Sequence, residues 1–106
     1  SGQKISSQDV YYYGDLVNSK TYYTNGSIYS IINYKNNLRH GPYLTYQGWG
    51  FIETEKYYVD GKMNGPYKTY YSNGELKVEG NYKNDNKKGL FKYYNKDGTL
   101  NYTETY

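Results

Sequence analysis

Cysteine and alanine are absent from this chain, histidine and tryptophan occur once each, and proline occurs twice. Without cysteine there is no disulfide, no thiol nucleophile and no Cys-based metal site. His40, the single imidazole, has no second histidine with which to hold zinc or relay a proton. The missing alanine removes the best helix former. No apolar run approaches the length of a membrane span; the longest, Val10-Tyr11-Tyr12-Tyr13, is mostly tyrosine, so the chain reads as not transmembrane. Leu, Ile, Val and Phe make up only 17 of 106 residues, a share that by itself leans towards disorder.

Tyrosine reverses that leaning. The chain has 19 of them, and each ring can bury on the order of 150–250 Å² while its hydroxyl stays hydrated or hydrogen-bonded. With 12 glycines and frequent asparagine, the composition points to strands and turns within one domain. The net charge is +3 with acids interspersed among the bases, which disfavours a nucleic-acid partner. The chain opens Ser1-Gly2-Gln3-Lys4 rather than on methionine, which reads as removal of an upstream segment, and no signal peptide is visible. A cytoplasmic protein and an exported or envelope-associated one with its signal removed both fit, so localisation stays open.

The sequence repeats every 24 residues. Gly26, Gly50, Gly74 and Gly98 hold the step, as do Tyr22, Tyr46, Tyr70 and Tyr94, and Tyr34, Tyr58, Tyr82 and Tyr106. Ile28, Ile52, Leu76 and Leu100 form an aliphatic column. Gly41, Gly65 and Gly89 are followed two places later by Tyr43, Tyr67 and Phe91. Six columns in one register, without an insertion, are the strongest signal in the sequence.

The unit reads as a β-hairpin. Asn73-Gly74 predicts a two-residue type I′ turn, with both central residues at positive φ. Asn25-Gly26 and Asp97-Gly98 repeat that chemistry, and Trp49-Gly50 departs from it. With this tip, Tyr71 should face Leu76, Thr69 should face Val78, and Lys68 should face Glu79. The stretch Asn84-Asp85-Asn86-Lys87-Lys88-Gly89 reads as a longer loop into the next hairpin. The predicted fold is all-β: tandem 24-residue hairpins stacked as an extended antiparallel sheet or solenoid, each copy stabilised by its neighbours. Residues 1–9 read as a flexible lead and 10–106 as one repeat domain. Within it lie a degenerate cap at 10–19 and four copies at about 20–42, 43–66, 67–90 and 91–106. The last column ends at Tyr106, an edge suited to a cap, a partner or an edge-to-edge homodimer.

The stretch Gly65-Pro66-Tyr67-Lys68-Thr69-Tyr70-Tyr71-Ser72-Asn73-Gly74-Glu75-Leu76, continuing to Gly80-Asn81-Tyr82, resembles the MORN-variant repeat of bacteria. Arg39-His40-Gly41-Pro42-Tyr43 looks like the stretch between hairpins in that family. The resemblance covers about residues 20–106. It implies a hairpin-repeat sheet without an enzymatic mechanism or cofactor. Bacterial relatives include antitoxin-like proteins of the YwqK type and exported or surface proteins, and eukaryotic relatives are associated with membranes and scaffolding.

An inventory of reactive groups supports the same absence of catalysis. No Gly-x-Ser-x-Gly elbow accompanies His40. Glu53 and Glu55, two apart on a strand, should share a face and are a candidate cation pair, with exposed strand residues the more ordinary reading. The Asn84-Asp85-Asn86 stretch has too few charged oxygens for a calcium loop. Catalytic and metal sites are therefore read as none.

The tyrosine columns divide in two. Tyr34, Tyr58, Tyr82 and Tyr106, with Tyr43, Tyr67 and Phe91, read as core substitutes and cross-strand ladders. Tyr22, Tyr46, Tyr70 and Tyr94 fall on the opposite parity and predict an aromatic strip, with Trp49 at a turn tip as a further anchor. Tyrosine suits a binding surface because it supplies contact area at little rotamer cost. The leading expectation is a non-enzymatic protein-binding module, an antitoxin or immunity protein that occludes a toxin. The charge of +3 weighs against an acidic mimic. The alternative is an exported or cell-surface protein binding carbohydrate, lipid or a host ligand through the strip.

Overall fold

Alternating strand residues broken by Asn, Asp and Gly should give strands and tight turns, and the described residues contain no other regular structure. The computed structural model describes residues 4–106 and has no helix among them. Its strands are β1 (Lys4–Tyr12), β2 (Asp15–Tyr23), β3 (Ile28–Lys35), β4 (Leu38–Tyr46) and β5 (Ile52–Val59). They continue as β6 (Lys62–Met63), β7 (Gly65–Tyr70), β8 (Leu76–Lys83), β9 (Asn86–Tyr94) and β10 (Leu100–Thr105). All lie in one antiparallel sheet, in order β1-β2-β3-β4-β5-β7-β8-β9-β10, with β6 beside β5 as the detached start of the β7 strand. The sheet is open rather than coiled into a solenoid, a single layer with extents of 45 × 33 × 14 Å. Residues 4–9, expected as a flexible lead, form most of β1 and pair with β2 from Lys4↔Tyr23 onward. Residues 1–3 of that expected lead lie outside the described residues.

Two kinds of turn alternate, and they exchange the places assigned to them from sequence. At Gly74 the Tyr71 N–H donates to Glu75 O (2.8 Å) and the Gly74 N–H to Tyr71 O (2.9 Å). Gly74 is at φ +88°, whereas Asn73 is not at positive φ. This is a three-residue loop in which a turn is closed by a left-handed glycine, not the two-residue type I′ turn predicted. The same pair of bonds recurs at Gly26, Gly50 and Gly98. Because the residue before glycine keeps a negative φ, Trp49 fits the loop as readily as Asn does.

The two-residue turns stand at the other end of the strands. Asn36-Asn37, Asp60-Gly61 and Asn84-Asp85 each have both central residues at positive φ, as does Tyr13-Gly14 in the first hairpin. Asn84-Asp85 is thus a tight turn between Lys83 and Asn86, and the expected long loop is strand β9.

The glycine-closed loop also shifts the register. Tyr70, not Tyr71, pairs with Leu76, and a bulge separates this pair from Thr69↔Val78 and Lys68↔Glu79, which pair as predicted. The bulge recurs at Thr21/Tyr22 and Thr45/Tyr46. It moves Leu76 onto the face that carries Lys68 and Glu79.

The core lies on the other face, built from the ladder columns. Tyr43–Tyr58, Tyr67–Tyr82 and Phe91–Tyr106 meet at ring-centroid distances of 5.5, 5.1 and 5.3 Å. Tyr23, Tyr58 and Phe91 are buried, Phe91 completely. Neighbouring hairpins are also tied at their tips. Tyr23 Oη donates to Tyr46 O (2.7 Å) and Tyr71 Oη to Tyr94 O (2.7 Å), while Gln47 Nε2 reaches Tyr71 O (3.0 Å).

Candidate binding surface

Register assigns each side chain to one of two faces, here the ring face and the strip face. Lys20↔Ile31↔Leu44↔Glu55↔Lys68↔Glu79↔Lys92 run across the strip face as one row of paired positions. From Glu55 to Lys92 the signs alternate, which favours each cross-strand pair. Beside this row, towards the glycine-closed tips, run the paired positions Tyr22↔Ile28, Tyr46↔Ile52, Tyr70↔Leu76 and Tyr94↔Leu100.

Tyr22, Tyr46, Tyr70 and Tyr94 thus occupy one row, each half-buried. With strands about 4.8 Å apart, consecutive rings stand roughly 10 Å from each other, and an aliphatic side chain fills each gap. Ile28, Ile52, Leu76 and Leu100 share the row with the rings, a membership that strand parity in the sequence does not give. The bulge brings them there, and no single-hairpin pattern reports it. Trp49 does not join the row. It sits at its loop tip, 64% exposed, with its Nε1 donating to Ser72 O of the next tip at 3.3 Å. Phe51, beside it in sequence, is 50% exposed.

Two tyrosine hydroxyls of the strip bond to polar side chains, one of them in the charge row. Tyr94 Oη donates to Glu79 Oε1 (3.3 Å), and Tyr22 Oη donates to Gln8 Oε1 (3.1 Å). Burial, then the Glu55 carboxylate, raises the Tyr70 hydroxyl above its ordinary value; burial, then Glu79, does the same for Tyr94. Both remain neutral donors through the physiological range.

The expected carboxylate pair is separated. Glu53 is the extra residue of the β5 bulge, and its Oε1 receives Thr45 Oγ1 at 3.4 Å on the ring face. Glu55 stands on the strip face, opposite Lys68, and accepts from Tyr57 Oη at 3.0 Å. Among the described residues no group of three or more His, Cys, Asp and Glu side chains could hold a metal ion. His40 Nδ1 accepts the Asp60 backbone N–H at 3.2 Å, which ties one tight turn to the strand beside it.

The ring face carries cations that sequence reasoning passed over. Arg39 lies 5.6 Å from the centroids of both Tyr43 and Tyr58, and Lys56 lies 4.7 Å from Tyr43. Lys87 lies 5.2 Å from Phe91 and 5.0 Å from Tyr106. Arg39 and Lys87 occupy the same place in the 24-residue period, with Met63 between them. That periodicity was the available signal.

The MORN repeat variant matches residues 18–36 and 63–84. The first match takes in the β2–β3 hairpin from Asn18 onward, and the second runs from the end of β6 through the β7–β8 hairpin. These matches support a MORN-variant repeat protein, a class of binding repeats rather than a known enzyme family. No curated protein and no solved structure matches the chain.

Proposed function

We propose that the chain is a non-enzymatic protein-binding repeat module that meets its partner through the strip face. In the specific form of this reading it is an antitoxin or immunity-type inhibitor that covers the partner's working surface. The observation that carries the proposal is the row from Tyr22 to Leu100, alternating ring and aliphatic side chain across a sheet face that no second layer of the described residues covers. Half-buried rings on paired strands are already ordered, so little side-chain entropy is lost on contact. The alternating charges beside the row suit a protein surface of mixed sign better than a phosphate backbone.

The test compares wild type with Tyr46→Ala/Tyr70→Ala as bait in extract from the source organism, with circular dichroism verifying that both are folded. A stoichiometric protein retained by wild type and lost by the double variant supports the strip. A partner whose own activity falls on addition of the chain supports inhibition. Equal retention by both baits refutes the strip as the interface.

One observation favours a second reading, binding of carbohydrate or lipid: Trp49 and Phe51 expose their rings at a loop tip, away from the strip. Exposed rings stack on sugar faces and attract quaternary ammonium groups. Titrating Trp49 fluorescence with cell-wall glycans and with choline decides it, and unchanged emission with both counts against this reading.

A further inference from the structure

The charge row of the strip face leaves its charges unspent. Glu55, Lys68, Glu79 and Lys92 alternate in sign across β5, β7, β8 and β9, and all four are half-buried. Yet no ion pair joins any two of them. Among the described residues the one close approach of opposite charges is His40 Nδ1 to Asp60 Oδ1, at 3.7 Å. Leu90 and Leu100, 47% and 53% exposed, stand on the same face, in register with Thr105 and Tyr94. Beside Leu90 is an open hollow of about 200 Å³, lined by Glu79, Gly80, Asn81, Leu90 and Lys92.

This face is complementary to itself. A twofold axis parallel to the strands, between β7 and β8, reverses the strand order and preserves position along each strand. Two copies laid strip face to strip face about it set Lys68 against Glu79 of the second copy and Glu55 against Lys92, each pair occurring twice. The same operation sets ring against aliphatic side chain along the neighbouring row: Tyr70 on Leu76, Tyr94 on Ile52 and Tyr46 on Leu100. Tyr57, on this face beside Glu55, comes over Leu90 and its hollow. Other twofold placements lose this match. Between β5 and β7 the axis would set Glu79 and Lys92 against Leu44 and Ile31, and an axis along the row would stack every charge on its own like.

We propose that the strip face closes on a second copy of this chain, giving a twofold dimer of two stacked sheets. The proposal rests on the reading of the strip face as a protein contact and names one occupant, the chain itself, which a tighter partner displaces. Six overlapping strands, each about 4.8 Å wide and about 25 Å long, cover roughly 700 Å² of each copy. A stable interface takes about 800 Å² from each partner. The charges fix register and orientation, and the ring-on-aliphatic contacts supply the apolar burial. Tyr57 Oη and Tyr94 Oη already donate to Glu55 and Glu79, so each carboxylate keeps a second partner when the ion pair forms.

The test is sedimentation equilibrium of the whole chain from micromolar to millimolar concentration, where the mass should rise from 12.5 kDa towards twice that value. Lys68→Glu and Glu79→Lys, each alone, set like charges across the axis twice and should each weaken the dimer roughly tenfold or more. Mixed in equal amounts, the two variants should regain it, because each then faces the charge that the other lacks. Circular dichroism verifies that both are folded. Should either fail to fold, wild type decides alone, its dissociation constant rising several-fold from low to high salt. A wild type monomeric throughout, a dimer indifferent to the single variants, a folded mixture that stays monomeric, or, where a variant fails to fold, a dimer indifferent to salt would each overturn the proposal. The bait comparison with Tyr46→Ala/Tyr70→Ala is read separately. A monomeric chain that still captures a partner through the strip refutes the dimer alone, and a charge-dependent dimer with equal retention by both baits refutes the partner reading alone.

Discussion

The Phe91 ring lies over Gly80 so closely that a Cβ added to the glycine would stand 2.5 Å from ring carbons. Tyr67, Tyr82 and Tyr106 surround the same ring at centroid distances of 6.5, 5.7 and 5.3 Å. A sheet one layer thick buries a phenylalanine completely by this means: absence of a side chain on one strand makes room for a ring from the next.

Gly80→Ala should therefore destabilise the protein by about 1–3 kcal/mol, because the ring is hemmed in and cannot step aside. Phe91→Ala should cost about 3–5 kcal/mol. The double variant should lose less than the sum, since each change removes the other's conflict. Urea unfolding of the three variants measures all of this, and strict additivity would contradict the contact.

Turn geometry makes opposite demands at the two ends of the strands. Gly74→Ala, at φ +88°, should cost about 1–2 kcal/mol. Trp49→Asn should change stability by no more than about 0.5 kcal/mol, since its position needs no positive φ. A clear gain from Trp49→Asn would reinstate the two-residue turn. Asn84→Gly should be nearly neutral and Asn84→Val costly, because Asn84 sits at φ +49°. Thermal melts of these variants check the assignment.

Glu79 lies in register between Lys68 and Lys92. Glu79→Lys should place three lysines side by side and remove the acceptor of Tyr94 Oη, costing roughly 1 kcal/mol. Added salt should recover part of the loss by screening. A melting temperature independent of salt would show that the row contributes nothing electrostatically.

Alkaline unfolding should centre on the tyrosines. Hydrogen bonding with Tyr93, then with Glu104, pushes the Tyr106 hydroxyl up to about 12 from an ordinary 10.0. Burial raises Tyr67 and Tyr82 in the same cluster. A folded-state value above the unfolded one stabilises the fold fully below the unfolded value and is lost as pH rises through the folded value. Stability should thus hold up to about pH 10 and decline towards about pH 12. Tyrosinate absorbance followed with circular dichroism tests this; loss of structure well below pH 10 would contradict it.

Sequence alone determined the period, the all-β class, the turns at Gly26, Gly50, Gly74 and Gly98 and the columns whose rings would stack. Each of these depends on residues within one repeat and on its regular recurrence. Only the tertiary structure decided how Asn73-Gly74 turns, because this dipeptide fits both a two-residue turn and a glycine-closed loop. The choice is made by how the flanking strands align. That choice set the bulges, and the bulges moved Ile28, Ile52, Leu76 and Leu100 onto the tyrosine strip while separating Glu53 from Glu55. Pairing between hairpins likewise brought Gly80 under Phe91. Those contacts join strands whose relative offset comes from backbone hydrogen bonds, and backbone hydrogen bonds leave little trace in side-chain pattern.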